Sequence, residues 1–420
     1  MRILHTSDWH LGRAFHRVGL LQAQAAFVDH LVEVVRAERV DAVLVAGDVY
    51  VRALPGVDVV ALLDDALARI VATGASVVLS SGNHDSARRL GFASRLLETA
   101  RVHVRTDPAG CGRPVLLADR HGPVAVYPLP YLEPAVAADV LASERTHPGV
   151  LAAAAGTARA DLATRPAGTR SVLAAHAFVV DAAVSDSERD ISVGGVAAVA
   201  RELFTGFDYV ALGHLHRHQQ LAPSVRYSGS PLAYSFSEAG HAKGSWLVEL
   251  GAGGLERVDA VAAPVPRPLA VLRGDLTDLL TDAALAPHED AWCQVTLTDV
   301  ERPADAMTRL RARFPHTLEL RFEPRRADTG PVPGAGDRLT GQDDLGVCCG
   351  FLEHVRGRRA DGEEVAVLRA ALERVRRAEP EEFGAAARRL ADRDVADRDV
   401  ADRDVADRDV EPGPARQAVG

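Results

Sequence analysis

Short apolar runs recur along the first half of the chain, and each stops at a cluster of polar residues. Arg2-Ile3-Leu4-His5-Thr6-Ser7 runs into Asp8-Trp9-His10. Ala42-Val43-Leu44-Val45-Ala46 runs into Gly47-Asp48, and Ala75-Ser76-Val77-Val78-Leu79 into Ser80-Ser81-Gly82-Asn83-His84-Asp85. Ser171-Val172-Leu173-Ala174-Ala175 stops at His176, and Tyr209-Val210-Ala211-Leu212 at Gly213-His214-Leu215-His216. Unbroken runs of this length, rich in β-branched residues, predict buried strands. Gly82 is expected to let the chain turn tightly where its strand ends.

Between the runs the period changes to that of a helix. Phe27, Leu31, Val34 and Val35 give a helix over about 21–38, and Leu62, Leu63, Leu67 and Ile70 give another over about 57–73, stopped by Gly74. Residues 86–97 are predicted helical, and 101–133 short strands joined by Gly and Pro. The Ala-rich stretch from 134 to 163 predicts helix broken at Pro148-Gly149. Ser185 to Asp190 predicts a polar loop, Gly194-Gly195 the start of a helix to about Leu203, and the stretch after His216, holding Arg226 to Pro231 and Ser245 to Leu250, is rich in strand. The alternation describes an α/β fold, with the five polar strand ends gathered at one edge of one sheet.

Pro264, Pro266 and Pro268 mark a linker. Beyond it, Leu269–Gly274, Trp292–Leu297 and Leu318–Phe322 predict strands, and Pro303 to Phe314 a helix between two of them. A Gly/Pro-rich linker at 323–342 precedes a mostly helical segment, Leu345 to Arg377, broken at Asp361-Gly362. Four copies of Ala-Asp-Arg-Asp-Val fill Ala391 to Val410, a polar repeat expected to stay disordered and without catalytic role. The expected division is a main domain at 1–265, a small α/β domain at 266–325, a helical segment at 343–380 and a tail at 381–420.

Composition narrows the function. Against 48 Lys and Arg stand 58 Asp and Glu, a formal charge of −10, which argues against binding nucleic acid by bulk charge alone. The four cysteines show no C-x-x-C spacing, and Cys348 and Cys349 are adjacent; a disulfide framework is not expected, and a reducing, cytoplasmic compartment is. No apolar run approaches the roughly 20 residues of a membrane span.

The strand ends carry the chemistry. Asp8, His10, Asp48, Asn83, His176, His214 and His216 offer carboxylate, imidazole and amide donors suited to Mn²⁺, Fe²⁺, Mg²⁺ or Zn²⁺. Seven candidates exceed one ion's needs and suit two ions sharing a bridging carboxylate. Such a pair, about 3.5–4 Å apart, clamps a phosphoryl group and activates water.

D-x-H, G-D, G-N-H-D, a lone His and G-H-x-H in this order resemble the calcineurin-like metallophosphoesterases. Asp8-Trp9-His10-Leu11-Gly12, Gly47-Asp48-Val49-Tyr50, Ser187-Glu188-Arg189, Val193-Gly194-Gly195, Gly213 to Arg217 and Tyr227 to Phe236 resemble, more narrowly, the bacterial SbcD family of nuclease subunits. The resemblance covers 1–265 strongly and 266–375 more loosely. It implies a two-sheet α/β/α core with a small α/β cap and a helical C-terminal segment. It also implies one metal, expected to be Mn²⁺, on Asp8, His10 and His216, a second on Asn83, His176 and His214, and Asp48 bridging them. His84 would protonate the leaving oxygen or stabilise the pentavalent phosphate, with Asp85 orienting its ring. The family pattern usually places Asp or His three residues past the bridging Asp; here that residue is Val51.

The implied activity is a DNA exonuclease and endonuclease acting 3′–5′ on ends and opening hairpins, in DNA recombination, replication and repair. The implied partners are an SbcC-like SMC-type ATPase and a second copy of the chain, with no membrane. Two alternatives stay open: a stand-alone nucleotide phosphodiesterase, and a DNA-end-binding scaffold with weak catalysis. Among the remaining candidates, His5 is expected to be packed, His16, His30 and His103 to lie at the surface, His218 to be no ligand, and Trp9 to be a packing residue. Arg13, Arg52, Arg88 and Arg89 flank the metal loops, where they would meet DNA phosphates or simply be solvated.

Overall fold

A computed structural model describes residues 1–180, 182–184, 186, 198–325, 343–356 and 358–377. The expected loop at 185–190 (Asp186 aside), Gly194-Gly195, the second linker beyond Arg325 and the repeat tail fall outside these.

In chain order the strands are β1 (Arg2–Thr6), β2 (Ala14–Phe15), β3 (Val18–Gly19), β4 (Ala42–Ala46), β5 (Ser76–Ser80) and β6 (Val102–Arg105). Then come β7 (Val115–Asp119), β8 (Gly122–Pro128), β9 (Arg170–His176), β10 (Tyr209–Gly213), β11 (Gln219–Ala222) and β12 (Val225–Tyr227). The last are β13 (Gly244–Gly251), β14 (Gly254–Ala262), β15 (Leu269–Gly274), β16 (Trp292–Leu297) and β17 (Thr317–Phe322). Two six-stranded sheets result, in the orders β14-β13-β1-β4-β5-β6 and β11-β12-β10-β9-β8-β7. β2 and β3 form a separate hairpin.

Each central strand is buried on both faces because each sheet is covered twice. Ile3, Leu44, Val78, Val126, Val172, Ala174 and Tyr209 meet between the sheets. On the outer side of the first sheet, Leu4, Val43, Val45 and Val77 meet Phe27, Leu31 and Val35 of α1 (Leu21–Ala37) and Leu63, Ala66 and Ile70 of α2 (Val57–Ala72). The α3 (Ala87–Leu90) and α4 (Ser94–Leu97) turns follow β5, divided where Ala93 takes φ 58°. The outer side of the second sheet carries α5 (Pro134–Leu141) and α6 (His147–Ala163), packed through small residues such as Ala137, Ala154 and Ala158.

Two predicted boundaries move. The Ala-rich helix breaks at 142–146, not at Pro148-Gly149. Proline is tolerated in a first helical turn, and here Thr146 caps the helix by accepting from the Gly149 N–H. Before Leu203, the described residues hold only a 3₁₀ turn, Arg201–Phe204.

The three-stranded parallel sheet β15-β16-β17 packs α7 (Leu276–Thr281) and α8 (Ala306–Arg313) on one face through Leu272, Val295, Leu279 and Leu310. It belongs to the same compact unit as the two large sheets, Met1–Asp299 with Pro303–Glu323. The helices Asp344–Arg356 and Gly362–Arg377 belong to a second unit. Glu364 joins them, meeting Arg356 at 2.5 Å and Arg358 at 2.9 Å. All four cysteines are free, Cys111 and Cys293 buried. No described helix is long and apolar enough to cross a membrane.

Candidate metal centre

The polar strand ends do not share one sheet edge. β1, β4 and β5 belong to the first sheet, β9 and β10 to the second, and the site forms where the two edges face each other. Five separate runs predict five strands but not which sheet each joins.

The backbone is forced into place there. Asp8, His10, Asp48 and His214 all have left-handed backbones, with φ of 52°, 43°, 49° and 102°. Such conformations cost non-glycine residues about 1–3 kcal/mol each and gather at functional sites. The loops are then fastened together. The Asp8, His10 and Leu11 N–H groups donate to the carbonyls of Gly47, Asp48 and Val49, and Val51 N–H returns a bond to Leu11. Gly82 is required by proximity rather than by turning. A Cβ there would stand 2.1 Å from Asp48 Oδ1.

Asp48 lies at the centre. Its Oδ1 accepts from the His84 N–H at 2.9 Å. Its Oδ2 is 3.3 Å from His176 Nε2, 3.6 Å from His10 Nε2 and 4.0 Å from His84 Nε2. His10 Nε2 is 3.1 Å from His216 Nε2, and His176 Nε2 is 3.0 Å from Asn83 Oδ1. Asp8 accepts from Ser7 Oγ at 2.5 Å and from the His214 N–H at 3.1 Å. The His214 ring stands edge-on to His176, with centroids 5.1 Å apart. Ligand atoms of Asp8, His10 and His216 lie within 4.8 Å of one another, as do those of Asp8, Asp48 and His176, and those of His10, Asp48 and His84.

Burial dominates the electrostatics. It pushes Asp8 up to about 6 against the pull of His176 and His216. Burial would raise Asp48 too, but His176, His10 and His84 outweigh it and hold that carboxyl well below its usual range. Burial holds His10 far below its ordinary value and His214 down to about 3, so both rings are neutral donors at pH 7. His176 is the exception: burial works to lower it, yet Asp48 and Asp8 hold it up at about 9.

This set fits divalent ions. Two buried ring nitrogens facing each other at 3.1 Å need a proton or a cation between them. His10 Nδ1 has no hydrogen-bond partner among the described residues. Two buried carboxylates, imidazole nitrogens and an amide oxygen are a hard-to-borderline donor set without thiolate.

Asp85 does not turn the His84 ring. Its carboxylate accepts from the N–H groups of Val49 at 3.0 Å, Tyr50 at 2.8 Å and Gly82 at 2.9 Å, tying the β4 and β5 loops together. The ring is held by the backbone instead: His84 Nδ1 lies 3.1 Å from the Val51 carbonyl oxygen. The residue that breaks the family pattern thus contributes through its main chain.

The other histidines sort by contact. His5 is fully buried, with Nδ1 2.9 Å from the Tyr209 hydroxyl and Nε2 3.2 Å from the Leu212 carbonyl oxygen. His218 stacks on Trp246. His16 is exposed; His30 and His103 are half-buried. Trp9 is a packing residue, edge-on to Phe27 and donating to Thr6 Oγ1 at 3.0 Å. Arg13 lies over the Tyr234 ring, while Arg52, Arg88 and Arg89 are exposed, Arg89 donating to the Ala53 carbonyl oxygen at 3.1 Å. Sequence reasoning missed Gln24, whose amide donates to the His10 carbonyl oxygen at 2.8 Å, and Glu238 and Lys243 behind His216. No spacing pattern marks these residues.

Among solved structures the chain is similar to TT1561 of Thermus thermophilus, at 15% identity over 62% of this chain and 98% of that one, with a TM-score of 0.32. It is also similar to GAP50, the anchor in the inner membrane complex of Plasmodium, at 9% identity over 79% of this chain and 99% of that one, with a TM-score of 0.33. A family model for an SbcD C-terminal domain, described as the type 5 capsule protein repressor C-terminal domain, matches residues 265–356. The calcineurin-like phosphoesterase model matches residues 1–218, half of the chain and every expected ligand. The chain therefore belongs to the calcineurin-like phosphoesterase family, and within it to the SbcD type.

Proposed function

We propose that this chain is the nuclease subunit of a DNA-end-processing complex, with two Mn²⁺ ions and an SbcC-like SMC-type ATPase as partner. Asp8, His10 and His216 would hold one ion, Asn83, His176 and His214 the other, and Asp48 both. The observation that carries this is Asp48 Oδ2, a single carboxylate oxygen 3.6 Å from His10 Nε2 and 3.3 Å from His176 Nε2, one from each expected ligand set. When bound, the ions supply Lewis-acid charge and a water acidic enough to attack phosphorus near neutral pH.

The chain's residues do the rest. The fastened β1, β4 and β5 loops hold the donors rigidly, so little reorganisation is needed on binding. The His84 Nδ1–H is directed at the Val51 carbonyl, which leaves Nε2 turned to the site beside Asp48. Water oxygen bonds to phosphorus and releases its proton to solvent, and the bond to the leaving nucleoside oxygen breaks. That oxygen takes a proton from Nε2 of a His84 ring that starts the step protonated at both nitrogens and ends it neutral with Nδ1–H on Val51. Arg52, Arg88 and Arg89 are exposed and would be the side chains to meet flanking phosphates. The chain's net charge of −10 means that bulk charge alone does not carry DNA binding, which leaves that role to local arginines, the bound ions and a partner.

The test compares substrates with Mn²⁺ present. Labelled linear duplex and hairpin DNA should be cut, with mononucleotides released from 3′ ends, and Asp48→Ala should abolish cutting. Hydrolysis of nucleotide esters with intact linear DNA would favour a stand-alone phosphodiesterase instead. End binding without cleavage would favour a scaffold.

A further inference from the structure

Behind the predicted ligands lies a buried ion pair with no part in the steps above. The Glu238 carboxylate is wholly buried and pairs with the Lys243 ammonium, itself 4% exposed. Removing two charges from water costs several kcal/mol per ion, so such a pair is weak evidence of a stability device.

Its contacts converge on one residue. Glu238 Oε1 faces His216 Nδ1 at 3.5 Å. Lys243 Nζ donates to the His216 carbonyl oxygen at 2.8 Å and to Ser230 Oγ at 3.0 Å. His216 is therefore held by its ring and by its main chain. Its other nitrogen, Nε2, faces His10. Glu238 Oε1 also accepts from the Tyr234 N–H at 3.3 Å, and the Tyr234 hydroxyl donates to the Trp9 carbonyl oxygen at 2.5 Å, in the loop that carries His10. Burial would raise the Glu238 carboxyl, but His216 and Lys243 outweigh it and hold it down at about 2.

We propose that Glu238 and Lys243 are positioning residues for the metal ligand His216. Glu238 accepts the Nδ1 proton, which fixes the tautomer and leaves the Nε2 lone pair for an ion. Lys243 neutralises Glu238 and pins the His216 main chain. The pair thereby tunes the ion on Asp8, His10 and His216 and leaves the other ion's ligands untouched. This rests on the two-ion reading above.

Calorimetric titration of the full-length chain with Mn²⁺ tests it, beside thermal unfolding. Glu238→Gln removes the charge and keeps the size. The double variant Glu238→Gln, Lys243→Met leaves no charge unpaired and guards against loss of fold. In both, one of the two Mn²⁺ affinities should fall roughly 10–100-fold while the other stays. Glu238→Asp should recover part of the loss, and raised Mn²⁺ should restore cleavage in Glu238→Gln. A lowered melting temperature with both Mn²⁺ affinities unchanged overturns the proposal, as does failure of both variants to fold. A wild-type chain that takes up no Mn²⁺ overturns the two-ion reading itself, an outcome distinguished by appearing without any substitution.

Discussion

His10 and His216 are 206 residues apart in the chain, yet their Nε2 atoms lie 3.1 Å apart. One follows a strand of the first sheet, the other a strand of the second. The pair exists only when the two sheets have docked through Ile3, Leu44, Val172 and Tyr209. Ion binding and sheet docking are thus linked: an ion that binds only the docked state stabilises it by mass action.

Saturating Mn²⁺ should therefore raise the melting temperature, and removal by a chelator should reverse the rise. At 100 times the dissociation constant the gain is about 2.7 kcal/mol for one site. Asp8→Ala should lose one site's share of the gain, because that carboxylate lies among the atoms that converge with His10 and His216. Calorimetric scans with and without Mn²⁺ check both statements; equal shifts in wild type and Asp8→Ala would remove Asp8 from the ligand set.

Gly82→Ala separates proximity from turning. The added Cβ would stand 2.1 Å from Asp48 Oδ1 and 2.3 Å from the Asp48 nitrogen. Something must shift, and the nearest atoms belong to the carboxylate expected to bridge both ions. Both Mn²⁺ affinities should fall together, in contrast to Glu238→Gln, where only one does. A Gly82→Ala protein with wild-type affinities would show that the loop yields without cost.

How legible this site was depends on the kind of information each part carries. Asp8, Asp48, Asn83, His176 and His214 stand out in the sequence because polar residues at the ends of buried runs are conspicuous. Their division between two sheets was not legible, since a run such as Ser171–Ala175 has the same pattern in either sheet. The role of Asp85 was misread for a related reason. A carboxylate next to a histidine suggests a pair, but its three backbone N–H partners come from β4 and β5 loops that only folding brings together. Glu238 carries no local signature; its meaning lies in a contact with His216, 22 residues earlier in the sequence.

His84 gives a sharper test of chemistry. Its ring is 38% exposed, and its Nδ1 is held by a main-chain carbonyl rather than by a side chain. His84→Ala should retain both ions, by metal analysis, and lose about 10²–10⁴-fold in turnover. Asp85→Asn should act differently. It weakens the bonds that tie the two loops, so its loss should appear in stability and Mn²⁺ affinity as well as in rate. Wild-type turnover in His84→Ala would remove it from the reaction.

Acid should weaken the fold through His5. Burial holds this ring down at about 3, from an ordinary 6.5. Between those values the unfolded chain binds a proton that the folded chain refuses, so stability is full above about 6.5 and falls as pH drops towards 3. The slope approaches about 1.4 kcal/mol per pH unit for one group. Denaturant unfolding of His5→Gln against wild type, from pH 7 to 5, should show a shallower loss in the variant. Parallel curves would mean that other buried groups carry the whole effect.

The C-terminal helices supply the last prediction. Leu368, Leu372 and Val375 fall at i, i+4 and i+7, the spacing of one helical face. Within the helical unit, Leu368 and Leu372 are half-buried while Val375 is 62% exposed. Phe351, Val355 and Val367 are also open, at 65%, 59% and 68%. An apolar surface of this kind on a helix pair suits a groove on another protein. The helix Asp344–Arg356 lies within the stretch that matches the SbcD C-terminal domain, and the groove proposed for it is at the base of the coiled coil of the proposed SbcC-like ATPase. Deleting 343–420 should leave a folded chain that still binds Mn²⁺ and no longer co-purifies with the ATPase. Deleting 391–420 alone should change neither property. Phe351→Ser with Val355→Ser should weaken association without shifting the melting temperature, because both side chains already face solvent. Wild-type affinity for the ATPase after the longer deletion would place the contact elsewhere on the chain.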